Sequence, residues 1–148
     1  MTYQIKPLAE EHLLAVWNIE QSAHTYPWAQ SMINDVNSRG ACHYVLMNEA
    51  QLVGYFYAQN IVGEVTLLNV AVDPKQQGKG IGRVLMSHFL DICTEKKAES
   101  AWLEVRESNE KAFNLYDSLG FHEVDRRVNY YPSSKGREDA IIMSYLFF

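Results

Sequence analysis

Val70-Ala-Val-Asp-Pro-Lys-Gln-Gln-Gly-Lys-Gly-Ile-Gly-Arg83 sets three glycines between an apolar run and an amphipathic one. Upstream, residues 67–72 are apolar except for Asn69, the pattern of a buried strand. Asp73-Pro74 ends that strand, because proline cannot donate to a ladder and restricts the residue before it. Downstream, Ile81, Leu85, Phe89 and Ile92 recur at helical spacing. Gly78, Gly80 and Gly82 therefore fall on a turn that opens a helix. There a bare backbone can approach a ligand closely, and the first N–H groups of the helix lack partners. A helix start of this kind suits anions, so the ligand expected here carries phosphate.

Two nucleotide templates do not fit. A P-loop requires G-x-x-x-x-G-K-[ST], but Gly78-Lys79 is followed by Gly80, and Asp73 stands where the first glycine belongs. The dinucleotide fingerprint G-x-G-x-x-G fails as well, its last glycine falling on Arg83 or on Leu85. The stretch Gln77-Gly78-Lys79-Gly80-Ile81-Gly82 does fit Q-x-x-G-x-G. It resembles the pyrophosphate loop of the GNAT superfamily of N-acetyltransferases, whose cofactor is acetyl-CoA. On this loop alone, a glycine-rich connector without a ligand remains open.

Length and composition bound the rest. The 148 residues are expected to form a single domain, 1–148, large enough to bury a core. An apolar share of 47% with 21% charged residues is ordinary globular usage. A formal net charge of −5 argues against direct nucleic-acid binding, which needs a basic face, and suits a cationic substrate. Cys42 and Cys93 stand far apart, so neither a disulfide framework nor a CxxC site is indicated. The five histidines show no metal-ligand spacing, and no metal is expected. The N-terminal residues carry no signal-peptide core and no apolar run could span a bilayer. A cytoplasmic protein is expected, with a monomer as the default and no membrane association.

The periodicities predict strands at 3–6, 43–48, 51–60, 63–72, 101–106, 121–128 and 140–146. Helices are predicted at about 8–23, 28–36, 80–97 and 109–119, the last closed by Gly120. The resulting order, βααβββαβαββ, is a mixed α/β arrangement around one sheet and matches the acetyltransferase fold. In that fold a mostly antiparallel sheet contains a splayed strand pair and is flanked by helices.

A second segment extends the resemblance. Asn109-x-x-Ala112-x-x-Leu115-Tyr116-x-x-x-Gly120-Phe121 is similar to the N-x-x-A-x-x-L-Y-x-x-x-G-F segment of the same superfamily. His24-x-x-Pro27-Trp28, Leu103-Glu104-Val105-Arg106, Asn129-Tyr130-Tyr131-Pro132 and Gly136-Arg137-Glu138-Asp139-Ala140 narrow it further. They resemble the bacterial branch that acetylates the N-terminal alanine of a small-subunit ribosomal protein. The implied reaction is direct attack of an α-amine on acetyl-CoA in a ternary complex, with the N-terminus of a basic ribosomal protein as acceptor. Neither cysteine lies in a segment recognisable as an activated nucleophile. Two alternatives stay open: the same chemistry on a small molecule or lysine, and a non-catalytic acetyl-CoA-binding module that docks on a ribosomal protein.

The resemblance implies roles residue by residue. Gln77, Gly78, Lys79, Gly80, Ile81, Gly82 and Arg83 would hold the pyrophosphate. The backbone of Val70, Ala71 and Val72 would meet the pantetheine arm and the oxyanion, because its strand splays from its neighbour. Glu104 shares a strand face with Trp102 and Arg106 and is the candidate base; an ion pair with Arg106 is its bland alternative. An N-terminal amine of pKa ~8 demands little of that base, whereas a lysine at ~10.4 is almost wholly protonated. Tyr116 is the candidate acid for the thiolate, although it also lies on an apolar helix stripe. Asn109 would reach the pantetheine arm or cap its helix, shared with or in competition with Ser108. Trp28, Tyr130 and Tyr131, in aromatic and turn-prone segments, would line the acceptor groove. Glu107, Glu138 and Asp139 could receive arginines of a basic peptide.

Overall fold

A computed structural model describes residues 2–147. Its strands are β1 (Tyr3–Pro7), β2 (Tyr44–Asn48), β3 (Gln51–Ile61), β4 (Glu64–Val72), β5 (Ser100–Arg106), β6 (His122–Ser133) and β7 (Gly136–Leu146). Its helices are α1 (Leu13–Ala23), α2 (Gln30–Asn34), α3 (Ile81–Glu95) and α4 (Glu110–Leu119). The strands form one seven-stranded sheet in the order β1-β2-β3-β4-β5-β7-β6. Every neighbouring pair is antiparallel except β4 and β5. The mixed α/β arrangement is thus the one the periodicities predict, and the mostly antiparallel sheet the one the family resemblance implies.

Helices cover both faces of the sheet. On one face, Ile81, Leu85, Phe89 and Ile92 of α3 and Tyr116 of α4 pack with Val53, Phe56 and Ala58 of β3. On the other, Val16 and Ile19 of α1 and Ile33 of α2 pack with Leu52, Tyr55 and Tyr57 of the same strand. Residues Leu52–Ala58 of β3 are therefore buried continuously, because this inner strand has a hydrophobic layer on each side.

Two irregularities in β4 create the opening that matters for function. Pairing with β5 covers only Glu64–Thr66 against Ser100–Trp102, after which the parallel strands part. Where they part, the register against β3 skips Leu68, from Ala58↔Leu67 to Tyr57↔Asn69. One inserted residue turns every later side chain to the opposite face. Val65 and Leu67 accordingly point to the α3–α4 core, whereas Ala71 points to the α1–α2 core. Asn69, of the same parity as Ala71, is carried under α1.

Some boundaries differ from those the periodicities predict. The first helix begins as a 3-10 turn (Glu10–His12), and α2 is limited to Gln30–Asn34. Trp28 lies ahead of α2, whose N-cap is the extended Ala29, and its N–H donates to Glu20 Oε2 of α1, at 2.9 Å. Asn129-Tyr130-Tyr131-Pro132 is not a turn but part of β6, which continues through a bulge. The register jumps there from Arg127↔Ala140 to Tyr131↔Glu138. Asn129 takes φ +52° at the bulge, and its N–H is satisfied by Asp139 Oδ1 at 3.0 Å.

Candidate active site

The glycine turn is built for close approach. Gly78 and Gly80 have φ of +83° and +76°, a region other residues enter only with strain. A Cβ at either would meet nothing within 4 Å, so the space above them is open. Gly80 is the N-cap of α3 and supplies no side chain, and the first intrahelical bond is donated by Val84 to Gly80 at 3.2 Å. The N–H groups of Ile81, Gly82 and Arg83 consequently lack helical acceptors and project from the positive end of a 15-residue helix. No acidic residue occupies the first turn to compete with an anion.

Helix α4 is delimited by caps that set Tyr116. Asn109 Oδ1 accepts from Ala112 N at 3.2 Å, so Asn109 caps the helix, while Ser108 is engaged by Glu138. At the other end Gly120 adopts φ +109°. Phe121 N donates to Tyr116 O at 3.0 Å and Gly120 N to Asp117 O at 3.1 Å, a Schellman closure. The Phe121 ring then packs against the Tyr116 ring with centroids 6.1 Å apart. The spacing from Asn109 to Phe121 is therefore the recipe for a short helix that presents Tyr116 at a defined height.

Two cavities meet beside this helix. One, of about 590 Å³, is lined by Val70, Ala71, Val72, Gln77, Gly78, Gly80, Ile81, Gly82, Arg83 and Asn109. The other, of about 230 Å³, opens where β4 and β5 part and is lined by Trp28, Asn69, Glu104, Arg106 and Tyr131. His24, Val70, Asn109, Ala112 and Tyr116 border both. Tyr116 is buried, and burial together with nearby Tyr131 pushes its phenol up to about 12. It therefore stays protonated at neutral pH and can donate a hydrogen bond into either cavity.

Other candidates are placed differently. Lys79 does not border the larger cavity; its Nζ lies 3.1 Å from Gln76 Oε1. Arg83 borders it, but its guanidinium donates to Ser118 Oγ at 2.8 Å. Tyr130 does not border the smaller cavity and instead meets the Tyr131 ring edge-on at 5.0 Å. Glu104 shares a strand face with Trp102 and Arg106 as expected, but its ion-pair partner is Arg127, with Nε 2.9 Å from Oε1. Glu107 and Asp139 face Arg126, and Glu138 faces Arg106, so arginines of the chain itself already meet these carboxylates. Neither buried cysteine borders either cavity, and burial first, then Cys42, pushes the Cys93 thiol up to about 12.

Contacts made by three residues, Arg106, Glu20 and His24, lie outside the roles that the sequence reading assigned. Arg106 stacks between the rings of Tyr26 and Tyr131, 4.8 and 4.3 Å from their centroids, and donates to Pro132 O at 2.7 Å. It thus ties the segment after α1 to β6 over the smaller cavity. Glu20, 1% exposed, accepts from Tyr55 Oη at 2.7 Å, Asn69 Nδ2 at 2.8 Å and Trp28 N at 2.9 Å. Burial, then the bond to Glu20, pushes the Tyr55 phenol far up, so it remains a donor. His24 completes the cluster, its Nε2 lying 3.0 Å from Asn69 Oδ1. The available signals were a glutamate on the apolar face of α1 and an asparagine in an apolar strand, since buried polar groups require partners.

Known proteins share this fold. Residues 8–121 match the model of the acetyltransferase (GNAT) family. The [ribosomal protein bS18]-alanine N-acetyltransferase of Escherichia coli K12 is 40% identical over 140 residues, 95% of each chain. The crystal structure of the ribosomal-protein-S18-alanine N-acetyltransferase from Escherichia coli superposes with a TM-score of 0.93 at 39% identity. It covers 98% of this chain and 94% of its own. Ard1 from Thermoplasma volcanium gives a TM-score of 0.87 at 26% identity, covering 100% and 99%. The matched loop, the capped Tyr116 helix and the parted strands lead to one conclusion: this chain belongs to the acetyltransferase (GNAT) family.

Proposed function

We propose that the protein transfers the acetyl group of acetyl-CoA to the N-terminal alanine of the small-subunit ribosomal protein bS18. The observation that carries this reading is the junction of the two cavities at Tyr116, with the glycine loop on one side and Glu104 on the other. A cofactor anchored at the α3 N-terminus can extend along Val70–Val72 and present its thioester at the junction. An amine entering from the β4–β5 gap then meets the carbonyl in a ternary complex. The acceptor's identity is taken from the relatives, which are matched along nearly their whole length.

In the reaction the amine lone pair attacks the thioester carbon, and the carbonyl oxygen gathers negative charge. The parting of β4 from β5 leaves the main-chain groups of β4 that turn away from β3 without a strand partner. N–H groups among Val70–Val72 are the donors for that oxyanion. Glu104 accepts the proton lost from nitrogen as the C–N bond forms. Tyr116 donates to the departing sulfur; with its phenol near 12 against ~8.5 for a thiol, it acts by hydrogen bonding rather than complete transfer. Asn109 Oδ1 is occupied by the cap, which leaves its Nδ2 for the pantetheine arm. Trp28 and Tyr131 wall the acceptor entrance.

Initial rates with equal concentrations of three amines test the reading. The amines are a basic peptide beginning with alanine, the same peptide blocked at its α-amine but retaining a lysine, and spermidine. Acetylation of the first at least about a hundredfold faster than of the others is expected, because about a tenth of its amine is neutral at pH 7 against less than about a thousandth of a lysine's or a polyamine's. A preference for spermidine or the blocked peptide would contradict it.

A further inference from the structure

The Glu20 cluster fixes the tautomer of His24. The oxygens of Glu20 accept from Trp28 N and Tyr55 Oη, and Oε1 also accepts from the amide nitrogen of Asn69, at 2.8 Å. The amide oxygen of Asn69 is thereby turned to His24, 3.0 Å from Nε2. That oxygen can only accept, so Nε2 carries the hydrogen, and in the neutral ring the lone pair lies on Nδ1. Among the described residues none hydrogen-bonds Nδ1. The side chain is 34% exposed and borders both cavities. Glu20 faces no lysine or arginine among the described residues; the one cation it can acquire is a protonated His24, at 3.7 Å.

From this geometry we propose that His24 is a further catalytic residue, whose Nδ1 takes the first proton from the acceptor's α-ammonium. The inference rests on the acetyl-transfer reading and deepens it. An ammonium must lose one proton before attack and a second when its nitrogen joins the carbonyl. In the first step an N–H bond of the ammonium breaks, its electron pair stays on nitrogen as the nucleophile, and the proton joins the Nδ1 lone pair. The resulting imidazolium faces Glu20 and still donates through Nε2 to Asn69, and its proton passes to water at the exposed ring edge. Glu104 takes the second proton. Asn69 and Glu20 act through His24 and are positioning residues.

His24→Gln tests this, because the amide can donate to Asn69 but has no basic nitrogen. Rates are measured with acetyl-CoA saturating and an N-terminal-alanine peptide, at about pH 7 and about pH 9.5. The charged or titratable groups that line the two cavities with His24 are Glu20, Tyr26, Arg83, Glu104, Arg106, Lys111, Tyr116 and Tyr131. Burial first pushes Tyr116 and Tyr131 up to about 12, outside that window. The variant is expected to lose about tenfold in kcat/KM at the lower pH, because only about a tenth of an α-amine of pKa ~8 is neutral there and the variant must use that form. At the higher pH the α-amine (~8) is already neutral, and the loss shrinks to under about twofold. A loss of equal size at both pH values overturns the proposal. So does an imidazole nitrogen NMR spectrum of the wild-type protein showing the Nδ1–H tautomer, a readout that needs no folded variant. A wild-type protein inactive on the peptide would defeat the functional reading, and this proposal with it; a pH-independent loss in an active protein defeats this proposal alone.

Discussion

Arg127 Nε lies 2.9 Å from Glu104 Oε1, so a guanidinium from β6 holds the carboxylate that faces the acceptor cavity. The same guanidinium rests over the Tyr130 ring, 5.1 Å from its centroid. An incoming α-ammonium must compete with this arginine for Glu104. Arg127→Gln removes the competitor, and the KM for an N-terminal-alanine peptide should fall by about threefold while that for acetyl-CoA stays unchanged. Because the arginine is about half exposed, stability should change by less than ~1 kcal/mol. A rise in peptide KM would instead show that Arg127 binds the acceptor.

Glu104→Gln and Tyr116→Phe should separate binding from chemistry. Each keeps the shape of its residue and removes one proton function. For Glu104→Gln we expect kcat to fall by ~10²-fold, and for Tyr116→Phe by ~10-fold, with acetyl-CoA affinity retained. Stopped assays alongside calorimetric titration of acetyl-CoA provide the check. Undiminished turnover in the double variant would remove both residues from the mechanism.

Gly82→Asp distinguishes a ligand site from a structural turn. A Cβ at Gly82 meets only Leu115 Cδ2, at 3.6 Å, so the side chain fits. A carboxylate in the first turn of α3 complements the helix dipole, and aspartate forms helix better than glycine. The variant should therefore melt no lower than the parent. The same charge repels a pyrophosphate, and the KM for acetyl-CoA should rise by ~10²-fold. Intact cofactor binding in a folded variant would refute the anion site.

Alkaline pH should weaken the fold through its buried phenols. Burial pushes Tyr116 and Tyr131 up to about 12 from a starting value of 10.0, and Tyr55 and Tyr57 move in the same direction. Between those values the native state keeps protons that the unfolded chain releases. Stability is thus fully present below about pH 10 and declines as pH rises toward 12. Urea midpoints should be level from about pH 8 to 9.5 and then fall. Tyr116→Phe should make the fall shallower, and an unchanged slope would mean that Tyr116 titrates normally.

Much of the site was legible in the sequence because its signals are local. The glycine turn and the α4 caps depend on residues within a dozen positions of one another, and each obeys backbone rules that hold in any fold. The parting of β4 from β5 came from resemblance alone, since nothing in residues 64–72 states which strand will leave them. The partner of Glu104 was missed for a related reason. Arg127 lies in a segment predicted as a strand, but it comes beside Glu104 only through the order β5-β7-β6 and a one-residue slip at Val124, neither of which the residues near it announce. Glu20 and Asn69 were visible as polar intruders in apolar patterns. Their union required the one-residue slip at Leu68 that carries Asn69 beneath α1.

The central claim is that one site joins an acetyl-CoA loop to a cavity for a protein N-terminus. Its most direct test is to incubate the protein with acetyl-CoA and purified, unacetylated bS18, then map the product by tandem mass spectrometry. A single acetyl group on the α-amine of the N-terminal alanine is the predicted result, abolished when that amine is blocked beforehand. Acetyl groups confined to lysine side chains, or no acetylated bS18 at all, would contradict it.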